Sequence, residues 1–332
     1  MIVESISCDD HINEDISRYA AKPGSYDSLS TFQISQFFKR HESTTKDDCN
    51  RVAADILKSP VSPTPIQGAQ SYTVAADSSQ VPKVIQFRSL KLNIELVELA
   101  KQSYGKFVPN CEYQGIIGGV HVYMLDLVPG PAFCRVRREF HTLGMQQRLR
   151  QTVQDFARFS ASAWVNKPAI TQPPGLLEEY SRVLDQVSDG LPERIQLKLD
   201  DVRKGLPLIF RAGYPTAVQH DDFLENNFHV NEATGQITGV VDWAAAIIAP
   251  FGVSLGGLEI ILGIQTASCW HFHPNHIKLR EHFWDIFYQE VGQISADDRR
   301  SIEVARLFGL FRTHGFEEGD ARILYLEALC ML

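Results

Sequence analysis

Between Gln146 and Trp164, the residues Leu149, Val153, Phe156 and Ser160 recur at steps of four and three. That spacing puts side chains on one helical face and predicts a long core helix. Leu92 to Tyr104 repeats the pattern, with Leu92, Leu96, Leu99 and Ala100 on one face and Glu95, Glu98 and Lys101 mostly on others. Helical spacing also marks Leu176 to Val187, Arg194 to Val202, Ile277 to Val291, Ala296 to Phe311 and, near the start, Thr31 to Arg40. The β-compatible runs are shorter: Gln70 to Val74, Val81 to Phe87, and Val120 to Val128, which Pro129-Gly130-Pro131 stops. In the second half, the one strongly β-like part runs from Gln219 to Trp243.

Strands therefore gather early and helices late. This predicts an α+β chain of two lobes: residues 1–129, a start segment and a small mainly β lobe, and residues 130–332, a larger mainly helical lobe. The Pro-rich run Ser59 to Pro65 sets the start segment apart. With 332 residues, 44% of them hydrophobic, the chain is long enough to bury two cores.

A formal net charge of -8 removes the usual electrostatic basis for nucleic-acid binding. Six cysteines, Cys8, Cys49, Cys111, Cys134, Cys269 and Cys330, are far apart and form no CxxC unit or paired framework, which reads as a reducing compartment. The first residues carry Glu4, Asp9, Asp10, Glu14 and Asp15 where a signal peptide needs basic and then apolar positions. No stretch approaches the roughly 20 apolar residues of a membrane span. The expectation is a cytoplasmic protein whose partner is a small molecule, not a nucleic acid or a membrane.

The chemistry concentrates in the β-like part, Gln219-His220-Asp221-Asp222-Phe223-Leu224-Glu225-Asn226-Asn227-Phe228-His229-Val230, a turn over Asn231 to Gln236, then Ile237 to Val241 and Asp242-Trp243. Paired as a hairpin centred near Thr234, it sets Asn227 opposite Val241 or Asp242, and opposed side chains on one face lie about 4.5–5.5 Å apart. Two oxygen ligands, Asn227 and Asp242, then suit Mg²⁺ whose other positions are filled by phosphates and water. Asp222, on the loop into the first strand, is placed to accept the proton of a substrate hydroxyl. His220 reads as the brace of that loop.

His-x-Asp-x-x-x-x-Asn followed by a hairpin and an Asp is the spacing of the protein-kinase catalytic loop and its metal-binding Asp. In detail the sequence resembles the aminoglycoside phosphotransferase and choline kinase branch of the kinase-like fold, with Val241-Asp242-Trp243 in place of Asp-Phe-Gly, and looks closest to its fungal members. Val84-Ile85-Gln86-Phe87-Arg88, the helix Leu92 to Gly105, Asp242-Trp243-Ala244 with Pro250-Phe251-Gly252, and Phe283-Trp284 also match, over roughly residues 50–315. The resemblance implies a nucleotide-binding first lobe, ATP and Mg²⁺ as cofactors, Asp222 as base, Asn227 and Asp242 as metal ligands and His220 as brace. It implies that Arg88, standing where most relatives have a Lys, grips phosphate and that Glu95 orients it. It also implies that the loop Ile66 to Val74 covers the phosphates with one glycine, Gly68, and the hydroxyl of Ser71, and that Met124 to Val128 is a hinge meeting adenine.

Phosphorylation of a small-molecule hydroxyl is the first expectation. The second is a repurposed kinase fold that performs acid-base cyclisation or isomerisation of a natural product, in secondary metabolism, because Arg88 and the single-glycine loop depart from the pattern. The third is a noncatalytic binding module. Phe133, Trp270, Phe272, Phe283 and Trp284 suggest an organic, partly apolar substrate against the helical lobe. The His271, His273 and His276 cluster lacks a spaced fourth ligand and reads as a loop rather than a metal site. The acidic run Glu317-Glu318-Gly319-Asp320 reads as solvated, and Cys134 and Cys269 receive no catalytic role.

Overall fold

A computed structural model describes residues 15–22, 24–78, 80, 82–317 and 319–331. After a 3-10 turn over Ile16–Tyr19 come two helices, α1 (Ser25–Arg40) and α2 (Lys46–Leu57), followed by β1 (Val61–Pro63), β2 (Ser71–Ala76), β3 (Lys83–Arg88), α3 (Ile94–Tyr104), β4 (Cys111–Ile117) and β5 (Val120–Asp126). The strands form one antiparallel sheet in the order β1-β2-β3-β5-β4. Alternation along β3 explains its two faces. Ile85 and Phe87 are buried with Tyr72, Val74, Val120 and Val122 beneath Phe37, Cys49, Ala53 and Leu57 of the two helices, while Val84, Gln86 and Arg88 turn to the cleft on the other side. Helices α1 and α2 thus form the outer cover of the sheet, while Ile16 and Ala20 before them pack on Ile264 of the helical lobe. Thr45 and Asp48 close a capping box at the first turn of α2, satisfying amides that would otherwise lack partners.

Beyond Pro129-Gly130-Pro131 come α4 (Phe133–Phe140), α5 (Gln146–Val165), α6 (Leu176–Ser188) and α7 (Glu193–Ile209), then β6 (Thr216–His220), β7 (Phe228–Val230), β8 (Ile237–Val240) and β9 (Ala246–Pro250). They are followed by α8 (Gly257–Leu262), β10 (Gly263–Thr266), β11 (Cys269–Phe272), α9 (His276–Val291), α10 (Ala296–His314) and α11 (Asp320–Cys330). Helix α5 packs on α9, and α10 on α7. Leu149, Val153, Phe156 and Ser160 are buried, as their periodicity predicts. Inside this lobe Glu259, 1% exposed, receives both guanidinium nitrogens of Arg280 at 2.5 and 2.9 Å, with Arg306 at 3.6 Å. No helix among the described residues is long and apolar enough to cross a membrane.

Several expectations need correction. Phe133, Trp270 and Phe283 do not face a substrate: they are at most 2% exposed, and Phe133 stacks on Phe228 at 4.7 Å. Aromatic residues cover so much apolar area that core packing claims them first. Of the three histidines, His271 lies on β11 of the hairpin β10–β11, His273 opens the Pro-containing loop that follows it, and His276 begins α9. There His271 meets Thr266 at 3.2 Å and stacks on Tyr19, His273 is buried, and His276 stacks on Phe272. No cluster of three metal-binding side chains occurs among the described residues. Cys269 is disulfide-bonded, against the expectation of unpaired thiols, whereas Cys49, Cys111, Cys134 and Cys330 are free. Glu317 and Asp320 are exposed, and Glu318 lies outside the described residues.

Candidate active site

Strands β7 and β8 pair antiparallel with Phe228 opposite Val240, and the Val241 amide donates to the Asn227 carbonyl at 2.8 Å. Asn227 therefore faces Val241, the register the sequence predicts. The turn is closed by Asn231, whose side chain accepts from the amides of Ala233 and Thr234, and by Gly235. Gly235 has φ +81°, and a Cβ there would lie 2.1 Å from the Arg148 carbonyl of α5. From the same helix Asp155 accepts the Ile237 amide at 3.0 Å, and Thr152 donates to the Gly235 carbonyl at 2.7 Å. A rigid core helix thus holds the hairpin at two points.

Asp242 follows β8 in left-handed backbone, φ +60°, a conformation that costs a non-glycine residue about 1 kcal/mol or more and turns the chain sharply at this position. Trp243 anchors the turn by donating its indole N–H to the Val240 carbonyl at 2.9 Å. His220 Nε2 meets the Val241 carbonyl at 2.8 Å, so the imidazole ties the end of β6 to the hairpin. Burial holds the His220 pKa below its ordinary value, leaving it neutral and suited to bracing. Its Nδ1 has no hydrogen-bond partner among the described residues.

The loop between β6 and β7 brings Asp222 to Asn227. The Asn227 amide nitrogen donates to the Asp222 carbonyl at 2.8 Å and to its carboxylate at 3.1 Å, which leaves the amide oxygen for other partners; it accepts from Asn226 at 2.9 Å. Asp222 stays solvent-accessible, yet withdrawal of water by the surrounding protein raises its pKa, and the charges of Asp242 and Asp221 act in the same direction. His220 and Asn227 oppose the rise.

Asn227 and Asp242 lie on the helical-lobe wall of a cleft of about 300 Å³. Ser71, Gln86 and Arg88 line the opposite wall, and Thr64 to Gly68 close the top. Ser71 is directly opposite Arg88 in the β2–β3 register. Val84, Leu92, Val97, Leu125 and Val128 give the cleft an apolar interior. Met124 to Asp126 spend their backbone in the sheet, so only Leu127 and Val128 of the expected hinge leave it.

Arg88 is 6% exposed and donates from Nη1 to Asp242 at 3.2 Å and to Gln86 at 3.0 Å. Glu95 does not orient it. That residue is exposed in the first turn of α3, where Asn93 caps the helix, and forms no ion pair with Arg88. A cleft carboxylate has taken the place of the helix carboxylate, because Arg88 leaves the end of β3 pointing at the hairpin.

Sequence reasoning missed Gln86, Asn226 and Arg137. Arg137 is buried, pairs with Glu225 at 2.9 Å and donates to the carbonyls of Ile260 and Gly263, tying the loop to the core. The RRE run in α4 looks like a solvated face, and only tertiary packing distinguishes Arg137 from its neighbours.

A family model described as "Phosphotransferase enzyme family" matches residues 129–258, the part that contains the hairpin. No curated protein matches the sequence. Among solved structures, a choline/ethanolamine kinase family protein from Mesorhizobium loti superposes with a TM-score of 0.54 at 12% identity, covering 86% of this chain and 95% of that one. Aminoglycoside phosphotransferase APH(4)-Ia, a thermostable mutant solved with ADP and hygromycin B, gives 0.52 at 11% identity, covering 85% and 96%. At such identities the likeness concerns architecture. The protein has a kinase-like fold, with a sheet-based first lobe and a helical second one, and its central segment matches the phosphotransferase family model.

Proposed function

We propose that the protein is an ATP- and Mg²⁺-dependent phosphotransferase acting on a hydroxyl of a small organic molecule. The observation that carries this reading is that Asn227 and Asp242 line one wall of the cleft opposite the buried Arg88, with the Asp222 carboxylate held against Asn227. The donor set fits the metal: Asn227 and Asp242 offer oxygen only, and the second Asp242 oxygen is not the one held by Arg88. Bound there, Mg²⁺ would neutralise charge on the phosphate groups. The apolar cleft interior suits an adenine ring and Ser71 a phosphate oxygen.

Asp222 would orient the acceptor hydroxyl and take its proton as the oxygen attacks phosphorus. Its raised pKa makes it a better base than an ordinary carboxylate. Arg88 would stabilise the charge spread over the transferring group. Calorimetric titration with ADP, with and without Mg²⁺, tests the reading. Metal-dependent binding that weakens in Asp242→Asn is expected; a folded chain that binds no nucleotide in either condition would sink it.

One observation favours a second reading. Arg88 already pairs with one oxygen of Asp242, so a cleft working without metal could use Arg88 as the fixed cation and Asp222 for acid-base cyclisation or isomerisation. Turnover without nucleotide, lost in Asp222→Asn and retained in Asn227→Ala, would select it.

A further inference from the structure

We infer that helix α1 is a splint for the loop that closes the cleft, with Ser30 and Gln67 as the positioning residues that give this loop a fixed shape. The inference rests on the reading of the cleft as a nucleotide site. A glycine string lets backbone amides approach phosphates, but such a loop is ordered only at an entropic cost on binding. Residues 64–70 contain one glycine and are ordered by side chains instead.

Gln67 is 4% exposed, and its amide group is fully used. Its Oε1 accepts the Thr73 amide at 2.9 Å, and its Nε2 donates to the carbonyls of Thr64 and Thr73 at 2.9 and 2.8 Å. One side chain therefore bolts the two ends of the loop together. Ser30, 7% exposed on α1, donates to the Pro65 carbonyl at 2.9 Å and accepts the Gln67 amide at 3.2 Å. Nearer the other end of the helix, Arg40 donates to the Ala69 carbonyl and to the Gln70 side chain.

The first turn of α1 is tied to the helical lobe. Asp27 pairs with Arg135 of α4 at 2.6 Å, and the Tyr26 hydroxyl lies within reach of the charge of Glu225, between Asp222 and Asn227. One helix thus reaches from the loop to α4 of the helical lobe. The exposed Asp27–Arg135 pair adds little by itself. The buried Ser30 and Gln67 bonds set the loop's shape, since breaking them leaves buried polar groups unpaired.

The test is amide exchange of residues 64–73 in the full chain, together with titration by ADP and Mg²⁺, for the wild type, Ser30→Ala, Ser30→Thr and Gln67→Met. One lost buried hydrogen bond corresponds to about five- to tenfold faster loop exchange in Ser30→Ala. ADP affinity is expected to fall by a similar factor, with helix α5 exchanging as before and Ser30→Thr restoring both. Gln67→Met keeps the volume, is expected to act more strongly, and serves should Ser30→Ala fail to fold. Unchanged loop exchange in both Ser30→Ala and Gln67→Met would overturn the splint. A wild-type chain that binds no ADP would overturn the nucleotide reading alone, because loop exchange decides the splint without ligand.

Discussion

Arg88 Nη1 lies 3.2 Å from Asp242 Oδ1, so the end of the third strand and the end of the hairpin meet across the cleft. The two side chains differ in exposure, 8% for Arg88 against 38% for Asp242. The arginine is committed to the protein, whereas the carboxylate keeps a face open to a ligand.

Arg88→Ala should therefore destabilise the chain by about 1–3 kcal/mol, because it opens a cavity and leaves Asp242 and Gln86 without their donor. Urea unfolding followed by circular dichroism checks this. Arg88→Lys should recover only part of the loss, since the shorter, differently directed lysine stem does not bring its ammonium to the point where Nη1 meets both partners.

For Asp222 the pKa shift fixes the sign of two effects. A base must be ionised, so the acid limb of kcat/KM for nucleotide hydrolysis by water should lie above the ordinary carboxylate value, and Asp221→Asn should move it down. A folded-state pKa above the unfolded one means that ionisation costs stability as pH rises through the folded value. Asp222→Asn should thus raise Tm at pH 7 and leave it unchanged well below the unfolded pKa, while lowering kcat about 10²–10⁴-fold. Scanning calorimetry at two pH values and a coupled ADP-release assay separate the effects.

Gly130 has φ +81°, and a Cβ there would sit 2.2 Å from the Val230 carbonyl. Gly130→Ala should cost about 2–4 kcal/mol by combining left-handed strain with displacement of the hairpin from the inter-lobe segment. Chemical denaturation gives the magnitude. Chemical-shift changes at Phe228 to Val230 would locate the displacement.

Glu259 is the sole carboxylate within 4 Å of Arg280 among the described residues. Glu259→Gln should cost about 3–5 kcal/mol, since it leaves buried guanidinium charge uncompensated. The double variant Glu259→Leu with Arg280→Met should regain a substantial part of that loss, measured by the same denaturation.

The hairpin was legible because its register follows from a period of two about an Asn-Gly turn region, and the helices because buried positions recur at three and four. Glu95 was misread because helical spacing says which residues share a face but not where that face points. The aromatic residues were misread because a large ring in the core and a large ring in a pocket have the same local sequence. Strands β10 and β11 have only four residues each, too short for alternation to register. Gln67 and Ser30 left no signal at all, since a polar residue in a loop or on a helix looks solvated until its partners, up to 37 positions away, are known.

Phe37, Cys49, Ala53 and Leu57 roof one side of the sheet. A truncated gene product starting near residue 60 would carry every proposed chemical group yet present Tyr72, Val74, Ile85, Phe87, Val120 and Val122 to water as one contiguous oily surface. Such a product should collect in inclusion bodies.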